Sequence, residues 1–293
     1  MNKLMKFFII CGITLFVGMG LCFGGIMTNG VSGINKVAEK YDWLEGTPGE
    51  LQTSYGEDLE FDSIRVTGDI DVCLIGADYT EMPASWTLPR QVSEAIKEHA
   101  PEEGMVFLCY GENINPPQYK VTNGVLEINS NIYDGGVVSM NLSYDDGIPK
   151  VVVFCGNKDL DEIDVNLTAC DVAVLGVSCG QVNLKTTDGD VYTQSIRSRG
   201  LNVETGYGDC RIHGDLEGLT KIKSSDGDIN VETSRDESSY AKNIHVTDGI
   251  LAINDMEMDD DSFASYVREG GPNKMEIDSM LGDVSIWFGI SSF

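Results

Sequence analysis

Aspartate is the residue whose spacing in this chain could do chemistry. Asp190, Asp209 and Asp228 each follow a glycine (Gly189, Gly208, Gly227), and these glycines stand 19 residues apart. Gly282-Asp283 repeats the pair, Gly249 repeats the glycine before Ile250, and Asp188 and Asp226 add carboxylates ahead of two of the glycines. Carboxylates filed in this way could hold a hard cation such as calcium or act as the acid and base of glycoside cleavage. Neither use is needed to explain them. The Gly-Gly-x-Gly-x-Asp nonapeptide of calcium β-rolls is absent, and Gly-Asp at a repeated turn is accounted for by turn hydrogen bonding. Stacked at about 4.8 Å, neighbouring carboxylates repel by roughly 0.9 kcal/mol in water, which a solvated edge tolerates. We assign no catalytic, cofactor-binding or metal-binding residue. Gly189, Asp190, Gly208, Asp209, Gly227, Asp228, Gly249, Gly282 and Asp283 are read as structural turn positions.

Other chemistries find less support. The histidines are His99, His213 and His245, and no G-x-S-x-G elbow precedes a helix. Cys11 and Cys22 lie in an apolar N-terminal run. Cys73, Cys109, Cys155, Cys170, Cys179 and Cys210 are even in number without C-x-x-C spacing, so disulfides and buried thiols both fit. A net charge of −27 excludes nucleic acid as a partner and disfavours anionic surfaces, while attracting cationic peptides or divalent ions.

The elements that position these residues begin outside the aqueous domain. Phe7 to Met27 is an uncharged run of 21 residues, long enough to span about 30 Å of hydrocarbon as a helix, and Lys3 and Lys6 precede it. Its length favours an uncleaved anchor over a cleaved signal peptide, and Leu21 before Cys22 disfavours lipoprotein processing. Residues 1–28 are expected to form a cytoplasmic tail and transmembrane signal-anchor, and 29–58 a stalk with a short amphipathic helix over Ser32 to Leu44. The protein is thus expected in the cell membrane, single-pass, with residues 59–293 extracytoplasmic.

From Phe61 the apolar period becomes two, with a hairpin-like turn at Thr67-Gly68-Asp69. Residues 82–104 read as a short helical insertion packed on the sheet. Strands resume at Met105 to Tyr110, Tyr119 to Asn129, Val137 to Tyr144 and Lys150 to Phe154. From Asp161 to the end the chain is a repeat. Nineteen extended residues suffice for two short strands and two bends, and one such coil cannot bury its apolar face alone. Stacking is therefore expected to put Leu184, Val203 and Ile222 in one interior file and Val191 and Ile229 in another. The acidic stretch Asp255 to Glu269 reads as a loop thrown out from a coil edge, and Trp287, Phe288 and Phe293 as closing the terminal end. The fold class is all-β: a single-stranded, β-helix-like solenoid with an N-terminal transmembrane helix and a short helical insertion.

These repeats, clearest in Thr187-Asp188-Gly189-Asp190-Val191 and Ser225-Asp226-Gly227-Asp228-Ile229, resemble the "putative adhesin" domains of unknown function in bacterial membrane-anchored proteins, whose repeats read T-x-x-G-D-[IV]. The resemblance covers Phe61 to Val284 and departs at 82–104 and 255–274. It implies a β-solenoid on an exported or anchored protein, often associated with envelope-stress regulation, with no catalytic residues and no cofactor. The expected function is a non-catalytic binding or scaffolding module that meets a protein, a peptide or a cell-wall component. The alternatives are a membrane-bound sensor subunit of an envelope-stress system and, third, a polysaccharide-active β-helix enzyme.

Overall fold

The computed structural model describes residues 52–56, 59–79, 92, 104–110, 117–130, 150–254, 256–258 and 264–290. The expected anchor, the stalk helix, the strand at 137–144, His99 and Phe293 lie outside these residues. Within the expected helical insertion only Val92 and Gly104 are described.

Alternating apolar residues give nineteen strands among the described residues. In chain order they are β1 (Gln52–Gly56), β2 (Ser63–Gly68), β3 (Asp71–Gly76), β4 (Met105–Tyr110), β5 (Gln118–Thr122), β6 (Val125–Ser130), β7 (Lys150–Gly156), β8 (Asp159–Leu167), β9 (Val172–Leu175) and β10 (Ser178–Asp188). They continue as β11 (Val191–Tyr207), β12 (Cys210–Asp226), β13 (Ile229–Thr233), β14 (Tyr240–Asp248), β15 (Leu251–Ile253), β16 (Met256–Met258), β17 (Ala264–Arg268), β18 (Asn273–Leu281) and β19 (Val284–Phe288).

Most of these pair in parallel with the strand one coil away, as a solenoid requires. The register files Ile128, Val66, Val165, Leu184, Val203, Ile222, Ile277 and Ile244 along one wall. Val151, Val72, Val172, Val191, Cys210, Ile229, Val284 and Leu251 line the facing wall. None of these side chains is more than 1% exposed. Period two sends every second residue to this interior, and neighbouring coils supply the rest of its contacts. The expected files of Leu184, Val203 and Ile222, and of Val191 and Ile229, are thus present. The turn at Thr67-Gly68-Asp69 is a correction: β2 and β3 do not pair with each other, and each runs parallel to strands of other coils. It is a coil bend, not a hairpin.

The coils do not follow chain order at either end. The coil of β2 and β3 lies between that of β6 and β7 and that of β8 and β9. The coil of β18 and β19 lies between that of β12 and β13 and that of β14 and β15. Trp287 and Phe288 therefore belong to an interior coil rather than to the terminus where the sequence suggested them.

Both ends are finished by antiparallel strands. β5 pairs with β6, β4 with β7 and β1 with β4 at one end; β17 pairs with β14 and β16 with β15 at the other. An open parallel stack would present unpaired N–H and C=O groups, and a reversed strand covers them after a short connection. The acidic stretch expected as a plain loop carries β16 and β17, so it is a cap.

A second core lies outside the wall of β3, β7 and β9. Cys73, Ile75, Met105, Phe107, Val152, Phe154, Ala173 and Leu175 cluster there with Val92 from the 82–104 excursion. Burial on both faces explains why β7 reads as a continuous apolar run instead of alternating. Cys73, Cys155, Cys170, Cys179 and Cys210 are free, buried thiols. Burial pushes Cys155 and Cys210 up to about 12 and Cys179 to about 11, which makes them poor nucleophiles.

Candidate functional site

The first strand of each coil ends in a bend that carries the repeated residues. Three positions before the glycine, Thr186, Thr205, Ser224 and Ser279 turn their side chains inward. Thr186 Oγ1 donates to the Cys170 carbonyl at 3.0 Å, and Thr205 Oγ1 to the Gly189 carbonyl at 3.4 Å. Gly189, Gly208, Gly227, Gly282 and Gly249 then stack as a column, each close above a carbonyl of the coil beneath. Cys170 takes the glycine's place in the coil of β8 and β9, where its carbonyl meets Gly189.

The aspartates form a ladder of hydrogen bonds running between coils. The Asp171 N–H donates to Asp71 Oδ1 at 3.1 Å, that of Asp190 to Asp171 Oδ1 at 2.8 Å, and that of Asp209 to Asp190 Oδ1 at 2.8 Å. The Asp228 N–H donates to Asp209 Oδ1 at 3.0 Å, that of Asp283 to Asp228 Oδ1 at 2.9 Å, and that of Ile250 to Asp283 Oδ1 at 2.8 Å. Each carboxylate thus takes the bend N–H that would otherwise lack a partner, a charge-assisted bond that offsets like-charge repulsion along the file. The equivalence of Asp190, Asp209 and Asp228 was legible in the sequence. Their bonding is between coils and not local to each turn.

Sequence reasoning missed Asp71 and Asp171, because Ile70 and Cys170 stand where a glycine would have marked them. It also missed Lys150, whose Nζ lies 3.8 Å from Asp71 Oδ2 and closes the buried end of the ladder with a cation. Burial is the main influence on Asp71: it pushes the carboxyl up to about 6, against the opposing Asp171 N–H and Lys150, with the Asp171 carboxylate adding to the rise. Burial likewise raises Asp171.

The folded domain therefore keeps a proton on Asp71 that the unfolded chain gives up. That contribution to stability is complete below about pH 4 and is lost as pH rises through about 6. Asp71→Asn should match the native chain near pH 4 and gain on it by about 2–3 kcal/mol by about pH 7. Urea unfolding of both proteins across that range checks this, and a difference that is flat with pH would refute it.

The neighbouring column is built of different groups. Asp188 aligns with Tyr207, Tyr207 with Asp226, and Leu281 with Asp248, and the Gly227 N–H donates to the Leu281 carbonyl at 3.1 Å, which sets Leu281 next to Asp226. Asp188 and Asp226 are thus separated by a tyrosine that is 60% exposed. Leu281 is 43% exposed, and Met280 and Ile250 beside it are 54% and 52% exposed. The bend edge therefore alternates carboxylate and apolar side chains on a backbone fixed by the ladder. One sequence signal for this was available, since Tyr207 stands where its sister copies have aspartate.

The second bend of the coils carries a shallow groove lined by Ser195, Arg197, His213 and Asp215. Its charges are paired internally. Arg197 meets Asp78 at 3.4 Å, Arg235 meets Asp215 at 2.5 Å and also Glu217, and His213 Nδ1 accepts the Ser195 N–H at 3.3 Å. Gly176 to Gly180 spells G-x-S-x-G but runs on into β10, so its serine is not on a strand-to-helix turn. Among the described residues no three His, Cys, Asp or Glu side chains converge as metal ligands.

A family model described as Toastrack DUF4097 matches residues 119–287. No curated protein matches the chain. Among solved structures, a "putative cell adhesion protein" from Clostridium sporogenes is similar at 13% identity and a TM-score of 0.40, covering 82% of this chain and 100% of that one. A "putative adhesin" from Bacteroides fragilis is similar at 15% identity and a TM-score of 0.43, covering 82% of this chain and 98% of that one. A "putative lipid binding protein" from Parabacteroides distasonis is similar at 13% identity and a TM-score of 0.37, covering 83% of this chain and 96% of that one.

Proposed function

The chain belongs to the Toastrack DUF4097 family, and from that premise we propose that it is a non-catalytic binding module whose Gly-Asp bend edge takes a basic segment of a protein or peptide. The observation that carries this reading is the column Asp188, Tyr207, Asp226, Leu281, Asp248. Tyr207, Ile250, Met280 and Leu281, each more than 40% exposed, set apolar surface among these carboxylates. A partner with basic side chains and apolar anchors would pair with the carboxylates and cover Tyr207 and Leu281 together. The net charge of −27 draws such a partner in and discourages anionic ones. In the same reading the run Phe7 to Met27 anchors the chain in the cell membrane and the solenoid faces outward.

The test is titration of the protein with a fluorescent peptide of alternating lysine and leucine, beside the same peptide with glutamate for lysine. The basic peptide should bind, weaken as salt rises, and lose about tenfold in affinity on Tyr207→Ser with Leu281→Ser, a loss near 1.4 kcal/mol. Equal binding of both peptides, or a double variant that binds as well as the native chain, would remove the bend edge as the site.

A further inference from the structure

Beneath the mouth of the coil formed by β14 and β15, a lysine, a glutamate and an asparagine are joined in series. Lys242 enters from β14 with its side chain fully covered. Its Nζ donates to the Glu237 carbonyl and to Glu237 Oε1, both at 3.0 Å, and lies 5.0 Å from the Phe288 ring centre and 5.9 Å from that of Tyr266. Glu237 Oε2 accepts from Asn254 Nδ2 at 3.2 Å. Asn254 Oδ1 in turn accepts the Phe288 N–H at 3.0 Å, which fixes which end of the amide faces the glutamate. Arg268 Nη1 at 2.8 Å and the Tyr266 hydroxyl at 3.5 Å complete the surroundings of Oε1.

We propose that Lys242 and Asn254 condense into an intramolecular isopeptide bond across this mouth, with Glu237 carrying the proton between them. Acyl transfer from a side-chain amide needs an amine with a free lone pair, a polarised carbonyl, and a route for a proton to the leaving nitrogen. Burial depresses the basicity of Lys242, ahead of the opposing influence of Glu237. Nζ donates to Glu237 Oε1 at 3.0 Å, and the proton it gives up along that bond leaves the amine its lone pair. The Phe288 N–H is placed to hold the oxyanion that develops on Asn254 Oδ1. Glu237 is kept ionised, first by its bond from Lys242 and further by Arg268, as a proton acceptor must be.

In the reaction the Nζ–Cγ bond forms and the Cγ–Nδ2 bond breaks. Of the two protons that Nζ sheds, one is taken by Glu237 Oε1 and delivered to Nδ2 when the carboxyl turns about its Cγ–Cδ bond, and the other departs with the leaving ammonia as ammonium. No electrons change hands and no co-reactant is needed. This is a single closure within the chain, separate from the binding reading above, and it would tie β14 to the end of β15.

Peptide mapping of the full chain decides the matter. The native protein should resist tryptic cleavage after Lys242 and yield a single looped peptide, 236–268, lighter by one ammonia than the same peptide in linear form. Lys242→Arg should restore the uncondensed mass, Glu237→Gln should leave most of the protein unlinked, and Asn254→Asp should condense with loss of water in place of ammonia. A native protein whose Lys242 peptide is cleaved normally and carries a free amine overturns the proposal, whatever the variants do.

Discussion

Alanine at position 227 is expected to cost the domain about 3–5 kcal/mol, a large part of the net stability of an ordinary fold. Two separate strains add. Gly227 has a φ of +135°, and holding an L-residue in that region costs about 1–3 kcal/mol. The new Cβ would also lie 2.2 Å from the Gly208 carbonyl oxygen and 2.6 Å from its carbon. Since both are backbone atoms, relief requires two coils to part, and forced overpacking of this kind costs about 1–3 kcal/mol. Gly270 separates the two contributions: its φ is +112°, yet nothing lies within 4 Å of the Cβ it would gain. Gly270→Ala should show only the conformational strain. Urea unfolding followed by circular dichroism would compare the two, and equal losses would mean that the close approach between bends does not matter.

The second large effect is expected within the interior file. Leu184→Ala should destabilise by about 3 kcal/mol, within the range for emptying a fully buried leucine site. Leu184 is 0% exposed and stands in register between Val165 and Val203. Those side chains are held in place by their own strands and cannot move in to fill the space. One residue along the same strand, Lys185 projects outward to Glu204 at 3.2 Å with its side chain half exposed, and Lys185→Ala should change stability by no more than about 0.5 kcal/mol. Thermal or urea denaturation of both variants tests the alternation directly. Similar losses at 184 and 185 would be incompatible with the register.

The interior was legible in the sequence because its determinants are local. Period two at Leu184, Val203 and Ile222, together with a constant 19-residue step, fixes which residues face inward before any coil is placed. The order of the coils was not legible, because it depends on pairing between distant segments that the repeat does not encode. The irregular steps after Gly227, 22 residues to Gly249 and 33 more to Gly282, hinted at a break. Nothing local showed that β18 would slip in beside β12. The bend edge was half legible. Asp190, Asp209 and Asp228 were marked by their glycines, whereas Asp71, Asp171 and Lys150 gain their roles only from the stacking. The grouping of Lys242, Glu237 and Asn254 follows from closure of one coil and leaves no motif in the sequence.

The misplaced final coil bears on how the molecule can be made. A solenoid wound in chain order could add rungs one by one as the polypeptide emerges from a ribosome or a translocon. Among the described residues β14 and β15 find their parallel neighbours in β18 and β19 alone, so that rung has no seat until residues 273–288 have been delivered. Assembly of this end must therefore await the emergence of β18 and β19, and a chain halted before Asn273 would leave β12 and β13 as an open, adhesive edge.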